Sequence, residues 1–248
     1  MLIQEDYVDL TTPTGPMRTY RYTPTRPQGH TRRYAGLLLY SEIFQQTEPI
    51  RRLAVRFASE GYVVMVPEIY HDNLAPGTVL GYDNAGKDKG NELKKETPLT
   101  SFDDGAHAVV AALRADPNCS GRIGTVGFCI GGHLSFRAAL MPEILAAACF
   151  YGTDLHNGTL GKGEKADTLD RCAEVRGELV MIWGRQDPHI PGEGRMRVYQ
   201  KLQQSGVLFS WHEVNGEHAF MRDEGNRYNA EVARQAFGIA LDLFRRAL

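Results

Sequence analysis

Apolar positions along the chain fall into two rhythms. Six short runs are almost continuously apolar and rich in β-branched or aromatic residues: YAGLLLY (34–40), YVVMVPE (62–68), RIGTVGF (122–128), AAACFYG (146–152), ELVMIWG (178–184) and VLFSWHEV (207–214). Runs of that length with little alternation predict strands buried on both faces. Between the first two runs the period lengthens: Ile50, Leu53, Ala54, Phe57 and Ala58 fall on one helical face, and Gly61 is placed to stop the helix. Residues 101–115 open with S-x-x-D, a capping-box-like start, and carry Phe102, Ala106, Val109, Val110 and Leu113 at helical spacing. A helix-compatible segment covers 132–140, and Val232, Ala236, Ile239 and Leu243 mark a last helix with one apolar face. Strands alternating with helices predict an α/β architecture, a mostly parallel central sheet with helices on both faces, formed as a single domain over residues 1–248.

One stretch breaks the pattern. Residues 73–100, NLAPGTVLGYDNAGKDKGNELKKETPLT, are rich in Gly, Lys, Asp and Pro and show little periodicity. An irregular loop this long inside a domain is either a lid over a site or a solvated excursion, and the sequence leaves both open. Its lysines, Lys87, Lys89, Lys94 and Lys95, are interleaved with acids and read as a solvated face.

Composition narrows the function classes. A chain of 248 residues, 42% of them hydrophobic, can bury a substantial core, and a formal net charge of -2 exerts no bulk pull on nucleic acid or anionic membrane. No apolar run approaches the roughly 20 residues that span a bilayer, and the first residues lack the basic and apolar regions of a secretory signal. The expectation is a cytoplasmic protein with no nucleic-acid or membrane partner, a monomer or small homo-oligomer. Cys119, Cys129, Cys149 and Cys172 show neither C-x-x-C nor zinc-like spacing, so free thiols are expected rather than a disulfide framework or a metal site. His71 and Asp72 are adjacent but have no third partner at ligand spacing, and His107 and His133 read as structural. No cofactor is implied.

The chemistry concentrates in four places. GFCIGG around Cys129 has the G-x-nucleophile-x-G form, placed after a predicted strand and before a helix-compatible segment. Gly127 and Gly131 permit the sharp turn, and the helix N-terminus beyond it favours a thiolate. A buried, inert thiol is the competing reading of Cys129. Asp187 follows the strand at 178–184 and His218 follows the strand at 207–214, giving the chain order nucleophile, acid, histidine. Taken singly, Asp187 caps a turn before Pro188 or His218 bonds backbone; taken together, the spacing on successive strands favours a triad. His189 competes for the histidine role but shares a loop with Asp187. In the triad reading His218 accepts the thiol proton, Asp187 fixes its tautomer, and Cys129 attacks a carbonyl carbon, with the Ile130 N–H holding the oxyanion and a second N–H supplied by the loop SEIFQQ.

SEIFQ around Glu42, GFCIGG around Cys129, GRQDPHIP around Asp187 and GEHAFMR from Gly216 resemble the dienelactone hydrolase family, the cysteine-dependent branch of the α/β-hydrolases. The resemblance implies the α/β-hydrolase fold and a carboxylic ester hydrolase acting on a small, carboxylate-bearing ester or lactone through a thioester. It also implies that Glu42 contacts the nucleophile and helps to generate the thiolate when substrate arrives, that Ile43 donates the second oxyanion N–H, and that Arg222 binds the substrate carboxylate. A carboxylate beside the sulfur would keep the resting thiol neutral. The family's second carboxylate-binding arginine has no counterpart, because 73–100 holds lysines but no arginine. From the residues alone Glu42 is equally a surface acid paired with an arginine, and Arg222 a solvated one. Two other classes stay open as well: a non-catalytic α/β-hydrolase scaffold that binds a small molecule or protein, and a redox-responsive thiol, the latter weakened by the lack of a nearby resolving cysteine.

Overall fold

An eight-stranded sheet organises the chain in a computed structural model that describes residues 2–25, 31, 33–163 and 165–248. The strands are β1 (Ile3–Thr12), β2 (Gly15–Pro24), β3 (Tyr34–Tyr40), β4 (Tyr62–Pro67), β5 (Cys119–Phe128), β6 (Ile144–Phe150), β7 (Glu178–Gly184) and β8 (Phe209–Val214), in the spatial order β1-β2-β4-β3-β5-β6-β7-β8. The pairs from β4 through β8 are parallel; β1 and β2 form an antiparallel hairpin joined antiparallel to β4. The helices are α1 (Glu48–Ser59), α2 (Asn84–Glu96), α3 (Leu99–Ala115), α4 (Ile130–Ala138), α5 (Gly192–Ser205) and α6 (Ala230–Ala247). This is the expected α/β-hydrolase architecture in one domain. The continuous apolar runs lie in its centre: Leu37, Leu38, Leu39, Val63, Val64, Ala147, Ala148 and Ile182 are fully buried.

Three elements depart from the sequence expectations. The hairpin β1–β2 was not among the six runs, since one face of β1 stays in water and its pattern is alternation rather than a continuous apolar run. Within 73–100 the chain folds α2, capped by the Asp83 side chain on the Gly86 N–H at 2.7 Å. This helix packs inward through Gly86, Gly90 and Leu93, a face with so little apolar area that no hydrophobic period is visible. The helix expected from Ser101 begins at Leu99 instead, with Pro98 at the N-cap and no side-chain cap. Ser101 is buried inside the first turn and its hydroxyl donates to Asp72. Asp72 also accepts from Thr14, and the His71 Nε2 lies 3.1 Å from the Thr12 hydroxyl, so this cluster fastens the β1–β2 turn to the segment after β4. Among the described residues no group of three or more His, Cys, Asp or Glu could hold a metal ion, and no helix is long and apolar enough to cross a membrane.

Candidate active site

Five strands deliver their C-terminal ends to one cavity of about 700 Å³, the edge at which parallel α/β sheets present ligand-binding loops. Glu42 and Ile43 follow β3, Cys129 follows β5, Thr153 and Asp154 follow β6, His189 lies in the Asp187 loop after β7, and His218, Arg222 and Arg227 follow β8; all except Asp187 line the cavity. Among the described residues the non-glycine positions with positive φ are Gln45, Cys129, Tyr151, Asp154 and Ala219, every one of them in these loops. Strained backbone of this kind persists only where the surroundings hold it, and it collects at functional sites.

Cys129 sits at φ 61°, ψ -123° as the residue before α4, its N–H donating to the Phe150 carbonyl at 3.2 Å and its carbonyl accepting from Gly132 and Thr153. The turn is possible because its flanks carry no side chain: a Cβ on Gly127 would lie 1.8 Å from the Gly131 oxygen, and one on Gly131 would lie 2.5 Å from the carbonyl oxygens of Tyr40 and Ser41. Ile130 is the first residue of α4 and Ile43 borders the cavity; among the described residues neither N–H has a protein acceptor.

The histidine is held on three sides. Its Nδ1–H donates to Asp187 Oδ2 at 2.7 Å, which leaves Nε2 free to face the cavity that Cys129 also lines. The rings of Tyr151 and His189 meet it edge-on, with centroids at 5.1 and 4.7 Å. Asp187 does both things the sequence allowed, since its Oδ1 accepts the His189 N–H at 2.8 Å and closes the turn while Oδ2 takes His218. Burial opposes the imidazolium, yet Cys129 and Asp187 on either side together outweigh it and push His218 up to about 10. His189 is shifted the other way, lowered by burial and by His218. Of the other thiols, Cys119 is raised by burial and Cys149 is pushed to about 12 by the same cause.

Glu42 is buried rather than at the surface, and its partner is Arg222, whose Nη1 donates to Oε2 at 3.4 Å. Burial raises the Glu42 carboxyl even with the arginine present. The Arg222 guanidinium also stacks on Tyr82, 4.3 Å from the ring centroid. Two residues singled out separately in the sequence thus pair with each other in the cavity that the thiol also lines. The expected solvated face of α2 is divided: Lys87 and Lys94 line the cavity, Lys94 pairing with Asp154 at 2.8 Å, whereas Lys89 pairs with Glu92 outside. Arg227 also reaches the cavity; five residues beyond Arg222 in a charge-rich loop, it carried no distinguishing signal. His133 is structural as expected, with its two ring nitrogens 3.0 Å from the Thr153 carbonyl and 2.9 Å from the Thr168 hydroxyl, and His107 is exposed on α3.

Comparison with known proteins gives a consistent picture. Residues 17–248 match the dienelactone hydrolase family. A Saccharomyces cerevisiae protein named provisionally as a carboxymethylenebutenolidase is 40% identical over 256 residues, spanning 100% of this chain and 93% of its own. The carboxymethylenebutenolidase of Pseudomonas putida is 26% identical over 208 residues, covering 83% of each chain. A solved dienelactone hydrolase-like promiscuous phosphotriesterase from metagenomic libraries superposes with a TM-score of 0.78 at 18% identity, over 100% of this chain and 99% of that one, a likeness of fold.

Proposed function

The chain belongs to the dienelactone hydrolase family and is a carboxylic ester hydrolase; on that premise we propose that it cleaves a small, carboxylate-bearing ester or lactone with Cys129 as nucleophile. The observation that carries this reading is that His218, bound through Nδ1 to Asp187, lines the same cavity as Cys129. His218 takes the thiol proton, and the Cys129 sulfur adds to the carbonyl carbon. The N–H groups of Ile43 and Ile130 receive the negative oxygen of the tetrahedral adduct. Collapse breaks the C–O bond, His218 returns its proton to the departing oxygen, and a thioester is left on Cys129. Water, deprotonated by His218, then releases the acid and restores the thiol.

The Glu42–Arg222 pair couples binding to this chemistry. A substrate carboxylate suits the planar guanidinium fork and competes with Glu42 for it. Glu42 is then a buried carboxylate without its cation, and its uncompensated charge favours the imidazolium that forms when the thiol proton moves to His218. Substrate arrival thereby favours the thiolate. The test is hydrolysis of a dienelactone, simple aryl esters and a thioester by wild type and Cys129→Ala, together with mass spectrometry of the Cys129 peptide during turnover of a slow ester. Loss of activity in the variant and an acyl mass on that peptide support the reading; undiminished turnover without Cys129 overturns it.

A further inference from the structure

The cavity has more room and more positive charge at its mouth than cleavage of a small lactone requires. Cys129, Glu42 and His218 form a floor that is at most 8% exposed, yet the space above it amounts to about 700 Å³, the scale of pockets that enclose a drug-sized ligand. The outer wall is α2. Asn84, Lys87, Asn91 and Lys94 line the cavity at steps of three, four and three residues, one face of the helix, and Arg227 joins them from the loop after β8.

The charged groups of this wall differ in what they are already bound to. Lys94 is committed to Asp154 in a pair whose side chains are 12% and 13% exposed, and Arg222 to the buried Glu42. The Asp83 carboxylate accepts the Gly86 N–H. Among the described residues Lys87 has the Asn84 side-chain oxygen at 3.4 Å and Asp88 at 4.0 Å, and Arg227 reaches Glu217, itself half exposed, at 3.6 Å. Among the described residues the acids in ion-pair contact with these two mouth cations are exposed ones, and Arg227 acts on the buried Glu42 at longer range. A dissolved anion can reach them without displacing a buried carboxylate.

We propose that Lys87 and Arg227 bind a second acidic group of the substrate, so that the preferred substrate is a dianionic ester with one carboxylate at Arg222 and another anionic group at the mouth. This rests on the reading of the cavity as an ester hydrolase site and specifies its substrate class. A monoanionic ester fills the floor and leaves the mouth cations to solvent; a dianionic one engages both.

The experiment compares kcat/KM for succinic acid mono(4-carboxyphenyl) ester with that for the isosteric mono(4-carbamoylphenyl) ester, and takes the ratio for each protein so that leaving-group reactivity cancels. In the wild type the ratio favours the dianion and declines with added salt. Lys87→Gln and Arg227→Gln each lower it, by about two- to fivefold for a solvent-accessible charge pair, and the double variant lowers it further. Lys89→Gln, on the opposite side of α2, makes the same change in net charge and leaves the ratio where it was. An unchanged ratio in the Lys87 and Arg227 variants, or an equal fall in Lys89→Gln, overturns the second anion site while the hydrolase reading stands. Absence of turnover on both esters and on simple aryl esters by folded wild type overturns the hydrolase reading and this inference with it.

Discussion

Removing Arg222 should cost stability through Glu42, and the cost should depend on pH. Arg222→Met keeps much of the apolar stem but takes the cation from a carboxylate whose side chain is 3% exposed. Breaking a buried pair by deleting one partner costs about 3–5 kcal/mol; the lower end applies here, because the arginine side chain keeps some contact with water and Glu42 can escape its charge by taking a proton. With a urea slope of about 3 kcal/mol per M, a loss of about 3 kcal/mol moves the unfolding midpoint down by about 1 M at pH 8. The sign of the pH dependence follows from linkage. Burial already raises Glu42 in the folded state, and loss of Arg222 raises it further. A carboxyl raised above its unfolded value costs nothing when both states are protonated and costs progressively more as pH climbs through the folded value. The deficit of Arg222→Met relative to wild type should therefore shrink from pH 8 to pH 5, and adding Glu42→Gln should recover most of it at pH 8. Urea titrations monitored by tryptophan fluorescence measure both. A deficit of equal size at the two pH values, not recovered by Glu42→Gln, would refute the charge argument and assign the loss to the Arg222 stack on Tyr82.

Other expectations follow from the same geometry. Iodoacetamide should label Cys129 well before Cys119 and Cys149, because Cys129 alone of the three lines the cavity and burial raises the other two thiols; peptide mapping over time checks the order. In Cys129→Ser the His218 ring should lose its proton at lower pH than in wild type, since a serine hydroxyl cannot supply the attraction that a thiolate gives the imidazolium while burial continues to oppose it; an NMR titration that still ends near pH 10 would contradict this. Gly131→Ala should destabilise the fold by about 1–3 kcal/mol, the usual cost of overpacking, and lower kcat more than it raises KM. The added Cβ would press on the backbone oxygens of Tyr40 and Ser41, immediately before Glu42 and Ile43, with no flexible side chain available to yield. Full activity with unchanged urea stability would show that the loop accommodates it.

What the amino-acid order determined by itself is the part of the protein governed by period and local backbone chemistry. Continuous apolar runs specify strands covered on both faces, so β3 to β8 were legible, and the glycines around Cys129 specify a turn that only a strand-to-helix junction uses. The order Cys129, Asp187, His218, each just beyond a strand, then placed three side chains at one edge of the sheet. Where the local signal was weak or ambiguous, tertiary contact decided. β1 and β2 need β4 beside them to count as strands. The α2 helix has a glycine-rich inner face that becomes a packing surface against the backbone of Gly81 and the loop after β3. Ser101 read as a cap until Asp72 was folded against it. The pairings that set the electrostatics, Glu42 with Arg222 and Lys94 with Asp154, join residues 180 and 60 positions apart. Side chains that far apart in the chain acquire a fixed distance only when the sheet between them has formed, and in a buried cavity that distance decides which charges are neutralised and which remain available to a substrate.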